Sequence, residues 1–204
     1  MKLIYIWDAY CGWCYGFDSL LVPFVKKHPE LELEIISGGL FNQGAPLAAF
    51  PGMNQANQQI SQLYGVKFGP AYQKLLEEGS FVPRSLDSAL GYALLRDQLP
   101  QDKWLPLAQD LQKAFYLDGR DLGNPELYRE LANQYGHDGE QLSQALVHAQ
   151  TNASDHPDFI KARALGVQSF PTLILEKDGR YYNMRTGQDS LEGLEQALTA
   201  VQSL

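Results

Sequence analysis

Cys11 and Cys14, in the segment Cys11-Gly12-Trp13-Cys14, are the only thiols in a chain of 204 residues. Two cysteines at that spacing reach each other, so they either open and close as a disulfide or supply half of a structural zinc site. A zinc site needs a second pair of ligands. The four histidines, His28, His137, His148 and His156, are scattered with no pair at ligand spacing, and no further cysteine exists. No metal and no other cofactor is therefore expected. A pair of cysteines is also far too few for the framework of a disulfide-stapled secreted scaffold. The favoured reading is thiol–disulfide exchange.

Exchange requires a thiolate, and a free cysteine with a pKa near ~8.5 is mostly protonated at neutral pH. The position of the pair supplies a remedy. KLIYIW at 2–7 is a β-branched and aromatic run suited to a buried strand, and a helix can start at the first cysteine. Cys11 then sits at the positive end of the helix, among unpaired backbone N–H groups that favour its thiolate. Cys14 lies one turn deeper. The spacing makes Cys11 the nucleophile and Cys14 the resolving thiol that releases the partner from the mixed disulfide.

The rest of the chain must place this strand–helix junction. Phe17, Leu20, Leu21, Phe24 and Val25 recur at helical spacing before Pro29, and LELEIIS at 31–37 reads as a second strand, parallel to the first. From 38 to 53 the composition turns to Gly, Ala, Pro, Asn and Gln, a loop leaving the sheet. Helical periodicity follows at 55–64, 70–78, 85–98, 102–117, 125–135 and 140–149, with glycines 65, 79, 119 and 136 at expected helix ends. Ser85, Asp102 and Asn124-Pro125 mark helix starts. The pattern then reverts to a short helix over 158–165 and a strand at 172–176. An Asp178-Gly179 hairpin leads to a returning strand at 180–185, and a capped helix at 190–202 ends the chain. These elements predict an α/β fold, β-α-β then α-β-β-α, with residues 1–53 and 151–204 forming one domain and a helical domain, 54–150, inserted between its halves.

With 45% hydrophobic and 20% charged residues the chain is an ordinary globular protein, and its net charge of −8 without any basic run disfavours nucleic acid as a partner. The opening MKLIYIWDAYC meets Asp8 after only a few apolar residues, too short for a signal peptide. No later run approaches the ~18 apolar residues of a membrane helix. The expected location is the cytoplasm, with no membrane partner.

Ser169-Phe170-Pro171-Thr172 stands directly before an apolar strand. Joined to an N-terminal Cys-x-x-Cys in this element order, it resembles the cis-proline loop of the thioredoxin superfamily, and the position of the helical insert resembles its DsbA family. Within that family, Asp8-Ala9-Tyr10-Cys11-Gly12-Trp13-Cys14-Tyr15-Gly16-Phe17 is similar to the cytosolic branch that includes FrnE-type dithiol–disulfide isomerases. The resemblance implies a thioredoxin fold, a cis Phe170–Pro171 peptide beside the dithiol, and substrate pairing through the backbone before the proline. It also implies protein or peptide thiols and disulfides as substrates, with glutathione or thioredoxin as redox partner.

Two positions depart from periplasmic DsbA. Trp13 stands where that protein has histidine, which points to a milder potential, and Phe170 is bulkier than the usual Val or Thr. Trp13 and Phe170 together would make an apolar lip for hydrophobic substrates; the alternative is that Phe170 packs inward. By the same resemblance Asp8 is a candidate proton shuttle for Cys14, against the alternative of a solvated helix cap. Two rival functions share the topology. One is a glutathione-dependent isomerase or transferase of the kappa or chromene-carboxylate isomerase type, against which retention of both cysteines argues. The other is a non-enzymatic DsbA-like protease adaptor.

Overall fold

The side-chain alternation of the first strand decides the layering. Leu3, Tyr5 and Trp7 point to one face of β1 (Lys2–Trp7) and join the main core, whereas Ile4 and Ile6 point to the other and join a small cluster with Ile36, Ala162 and Ile174. A strand buried on both faces belongs in the middle of a sheet. In the computed structural model, which describes residues 1–186 and 189–204, the strand order is β2-β1-β3-β4. β2 (Glu32–Ser37) runs parallel to β1; β3 (Thr172–Lys177) pairs antiparallel with β1, and β4 (Arg180–Asn183) antiparallel with β3. The Asp178-Gly179 hairpin forms as expected, with φ of 53° and 75° at its two residues.

The helices cover both faces. On the side of Tyr5 and Trp7 lie α1 (Gly12–Lys27) and α9 (Leu191–Gln202); on the side of Ile4 and Ile6 lies α8 (Pro157–Ala164). Between β2 and β3 come α2 (Met53–Tyr64), α3 (Pro70–Glu78), α4 (Ser85–Arg96), α5 (Trp104–Tyr116), α6 (Pro125–Gln134) and α7 (Gly139–Asn152). Glycines 65, 79, 119 and 136 all adopt positive φ, as their placement at helix ends requires. Among the described residues no helix is long and apolar enough to cross a membrane.

Three local expectations are corrected. Asp102 lies in a short 3₁₀ turn, Gln101–Lys103, and α5 begins at Trp104. Ser85 does not cap α4: it is buried, and it exchanges two hydrogen bonds with Phe41, whose N–H reaches Ser85 Oγ at 2.8 Å. A distant loop thus claims the hydroxyl that would otherwise serve its own helix. The returning strand stops at Asn183, which frees Arg185 to leave the sheet.

β2 is an edge strand, and an open edge invites pairing with other chains. Here the edge is closed from above. Gln101 Nε2 donates to Leu33 O (2.6 Å), Arg96 Nη1 donates to Ile35 O (3.1 Å), and Ser37 N–H donates to Asp158 Oδ2 (3.0 Å), which also receives Arg96 (3.3 Å). Asp158→Ala leaves the Ser37 N–H and the Arg96 guanidinium short of a partner, and a lost buried partner costs about 1–3 kcal/mol. Urea unfolding should show that loss, and Asp158→Asn, which keeps an acceptor, should recover part of it; equal midpoints for all three proteins would refute a role for Asp158 in closing the edge.

Candidate active site

The junction between β1 and α1 builds the site. Cys11 occupies the N-cap of α1 with extended backbone (φ −88°, ψ 108°), and its sulfur takes the capping role of a serine hydroxyl: Cys14 N–H donates to Cys11 Sγ at 3.4 Å. Both thiols are free. Cys11 retains 4% of its surface and Cys14 none, so Cys11 is the one open to a partner. Burial pushes the Cys14 thiol well above the ordinary range, and the neighbouring Cys11 sulfur adds to the effect.

The proline loop meets the dithiol where the resemblance placed it. The Phe170–Pro171 peptide is cis, and Cys11 Sγ donates to the Phe170 carbonyl at 3.6 Å. Phe170 is half-buried, its ring seated on Gly38, where a Cβ would come within 1.9 Å of its edge. Trp13 is also half-buried and rests edge-on against Tyr64 of α2, with ring centroids 6.5 Å apart. Each aromatic therefore has its own support, Gly38 under Phe170 and Tyr64 against Trp13.

Asp8 is not a solvated cap. It is 2% exposed, and its carboxylate accepts Tyr10 N–H (3.0 Å) and Leu40 N–H (2.8 Å), tying the end of β1 to the loop after β2. Burial raises its pKa, opposed by the backbone N–H of Leu40 and the hydroxyl of Ser85. Tyr10 extends the tether, its hydroxyl accepting Leu122 N–H at 3.1 Å between α5 and α6.

A second buried acid lies under the dithiol. Asp18, four residues after Cys14 on the buried face of α1, is 2% exposed and receives the Tyr5 hydroxyl at 2.9 Å. The Gln112 amide, oriented to suit its neighbours, donates to the other Asp18 oxygen (2.8 Å) and accepts Tyr15 N–H (3.2 Å). Burial raises Asp18 to about 7. The sequence holds one signal of this: positions 14, 17, 18 and 21 share a helix face, and an acid between Phe17 and Leu21 interrupts an apolar stripe. α1 and α2 approach so closely that a Cβ on Gly16 would lie 2.4 Å from the Tyr64 ring. Gly12 likewise leaves room beside Asn57 Oδ1 and the buried hydroxyl of Tyr116, which has no hydrogen-bond partner among the described residues. Nor do three His, Cys, Asp or Glu side chains gather as a metal set there or elsewhere among the described residues.

A family model, the DSBA-like thioredoxin domain, matches residues 3–199. Among solved structures the chain is similar to the cytosolic disulfide reductase DsbM from Pseudomonas aeruginosa, at 24% identity and a TM-score of 0.80 over all of both chains. With GSH, that protein aligns at 25% identity and a TM-score of 0.79, again over all of both chains. A 2-hydroxychromene-2-carboxylate isomerase is similar at 14% identity and a TM-score of 0.61, over 99% of this chain and 96% of the other. No curated protein sequence matches the chain.

The raised pKa of Asp18 sets a pH dependence of stability. Its carboxyl titrates at about 7 when folded against 3.8 ordinarily, so between those values the native protein holds a proton that the unfolded chain has released. Stability therefore falls as pH rises through that window and stays reduced above it. Asp18→Asn keeps the shape and an acceptor for Tyr5 but cannot ionise. Chemical unfolding should find it matching the wild type near pH 4 and more stable at pH 8. The gain should be on the order of 2–4 kcal/mol, since each tenfold difference in proton affinity between the folded and unfolded chain is worth about 1.36 kcal/mol. Parallel curves across that range would exclude a buried proton on Asp18.

Proposed function

The chain belongs to the DSBA-like thioredoxin domain family, and from that premise we propose that it is a thiol–disulfide oxidoreductase, with Cys11 as nucleophile and Cys14 as resolving thiol, that reduces or reshuffles peptide disulfides. The observation that carries this reading is the Cys11 sulfur itself. It caps α1 through Cys14 N–H at 3.4 Å and faces the Phe170 carbonyl at 3.6 Å, with the second thiol buried one turn on. The Cys11 thiolate attacks a substrate disulfide, one substrate sulfur leaves as a thiolate, and a mixed disulfide remains on Cys11. Cys14 then gives up its proton, attacks Cys11 Sγ and expels the second substrate thiolate. Two electrons have passed to the substrate, and the Cys11–Cys14 disulfide is reopened by an external thiol, glutathione or a thioredoxin-type dithiol, in the cytoplasm.

Cys14 needs a base, because burial holds it as a thiol. Both oxygens of Asp8 accept backbone N–H groups and so hold the junction, whereas those of Asp18 accept only side-chain donors, the Tyr5 hydroxyl and the Gln112 amide. Asp18 is buried on the Cys14 face of α1 and poised at about 7, close to the ambient pH that favours proton exchange. We assign the Cys14 proton to it. Trp13, Phe170 and Pro171 bind the substrate backbone and its apolar side chains around the attacked sulfur.

Trapping tests the two thiol roles. Incubated with a glutathionylated peptide, Cys14→Ser should accumulate a mixed disulfide on Cys11, visible as a mass shift reversed by dithiothreitol, and Cys11→Ser should form none. Turnover of both variants should fall to the uncatalysed background. An adduct on Cys14 in Cys11→Ser, at the wild-type rate, would reverse the roles; retained turnover in Cys11→Ser would remove the reading altogether.

A further inference from the structure

Arg185 belongs neither to the dithiol motif nor to the proline loop, yet it touches α1 and the proline loop, which both frame the site, and reaches α2 through Asp189. It follows β4, where Asn183 Oδ1 accepts its backbone N–H at 2.9 Å. Its guanidinium lies over the buried Phe17 ring of α1, 4.9 Å from the centroid. Nη1 donates to the Pro171 carbonyl, while Nε and Nη2 grip Asp189 at 3.0 and 2.5 Å. The same carboxylate receives the Tyr64 hydroxyl of α2 at 2.7 Å, and Tyr64 in turn carries Trp13. The pair is largely covered, with 23% and 20% of the two side chains exposed.

A continuous line of contacts thus runs from the proline loop through Arg185, Asp189 and Tyr64 to Trp13. At one end is the loop whose Phe170 carbonyl meets Cys11, and at the other Trp13, the residue between Gly12 and Cys14 of the dithiol segment. A guanidinium suits such a joint because its N–H groups diverge in a rigid plane, so that one side chain fixes a carboxylate and a carbonyl at set positions. An ammonium on a flexible stem offers a point charge without that geometry.

We propose that Arg185, through Asp189 and Tyr64, is a positioning residue that sets the separation between the proline loop and the Trp13 wall, and so makes the site selective for extended peptide disulfides over small ones. The inference rests on the disulfide-exchange reading above. A small disulfide needs only the Cys11 sulfur, whereas an extended peptide must lie along the proline loop and against Trp13 at once. Loosening the brace therefore weakens peptide binding and leaves the chemistry of the sulfurs in place.

The test compares an extended disulfide-linked peptide with cystamine, a small disulfide, as substrates for the wild type, Arg185→Gln, Arg185→Lys and Tyr64→Phe. Arg185→Gln should raise KM for the peptide about tenfold with kcat within about twofold, and leave kcat/KM for cystamine within about twofold. Arg185→Lys should not rescue the peptide KM, since it keeps the charge without the fork. Tyr64→Phe keeps its ring on Gly16 and Trp13, removes only the bond to Asp189, and should raise the peptide KM about threefold. Should Arg185→Gln fail to fold, Tyr64→Phe alone decides. Equal losses on both substrates, rescue by lysine, or unchanged peptide KM in the folded variants would each overturn the brace. A wild type that turns over neither substrate would overturn the disulfide-exchange reading, and the brace with it.

Discussion

The N–H of Cys14 directed at the sulfur of Cys11 is the contact around which the molecule is organised. A helix leaves its first N–H groups without intrahelical partners, and a side-chain acceptor at the N-cap relieves one of them. Here the acceptor is a thiol, a poorer one than serine unless it is ionised. The cap therefore fixes the sulfur on the first turn of the helix in exchange for satisfying one of its N–H groups. For this exchange to hold, the end of β1 and the start of α1 must not drift. Asp8 fixes them from one side, binding Tyr10 and Leu40 through their N–H groups, and Tyr10 anchors them from the other at Leu122.

Fixing the junction is only half of the constraint, because the nucleophile must also meet its substrate. β1 lies at the centre of the sheet, so the segment that follows it is flanked by the ends of β2 and β3. The Gly38–Phe41 loop comes from β2 and the proline loop precedes β3, and the two are locked by the Phe170 ring packed on Gly38. The closed edge of β2 contributes at longer range. Arg96, Gln101 and Asp158 hold the helices between β2 and β3 against the sheet, and those helices carry Tyr64 to the rim of the site.

The sheet and the dithiol are legible in the sequence because their signals are local. Period-two alternation, the Asp178-Gly179 turn and the Cys-x-x-Cys spacing need no knowledge of the rest of the chain. The cis Phe170–Pro171 peptide follows from resemblance, since nothing in the Ser169–Thr172 residues alone dictates it. Ser85 misleads because a serine before an apolar run looks the same whether its hydroxyl caps its own helix or binds Phe41, 44 positions away. Asp18 escapes a reading by motif although its place on an apolar face is visible. Arg185 is beyond reach: its partner Pro171 lies 14 positions back, and Tyr64 meets Asp189 across 125.

The buried face of α1 shows what holding this site involves. Phe17, Leu21 and Phe24 are fully buried, and each contributes about 1.5–3 kcal/mol by leaving water. On the same face Cys14 and Asp18 are buried as groups whose charged forms the surroundings oppose. A leucine at 18 would extend the stripe without that penalty, and Tyr5 and Gln112 would then have no acid to bind. The carboxyl is instead retained, satisfied by two side chains from different elements, with its pKa raised by burial to about 7. Such a fully hydrogen-bonded acid inside an otherwise apolar stripe departs from local consistency at one turn only, the turn beneath the dithiol. Departures of that kind gather where a fold serves chemistry, and the apolar residues on either side of Asp18 supply the stability that offsets it.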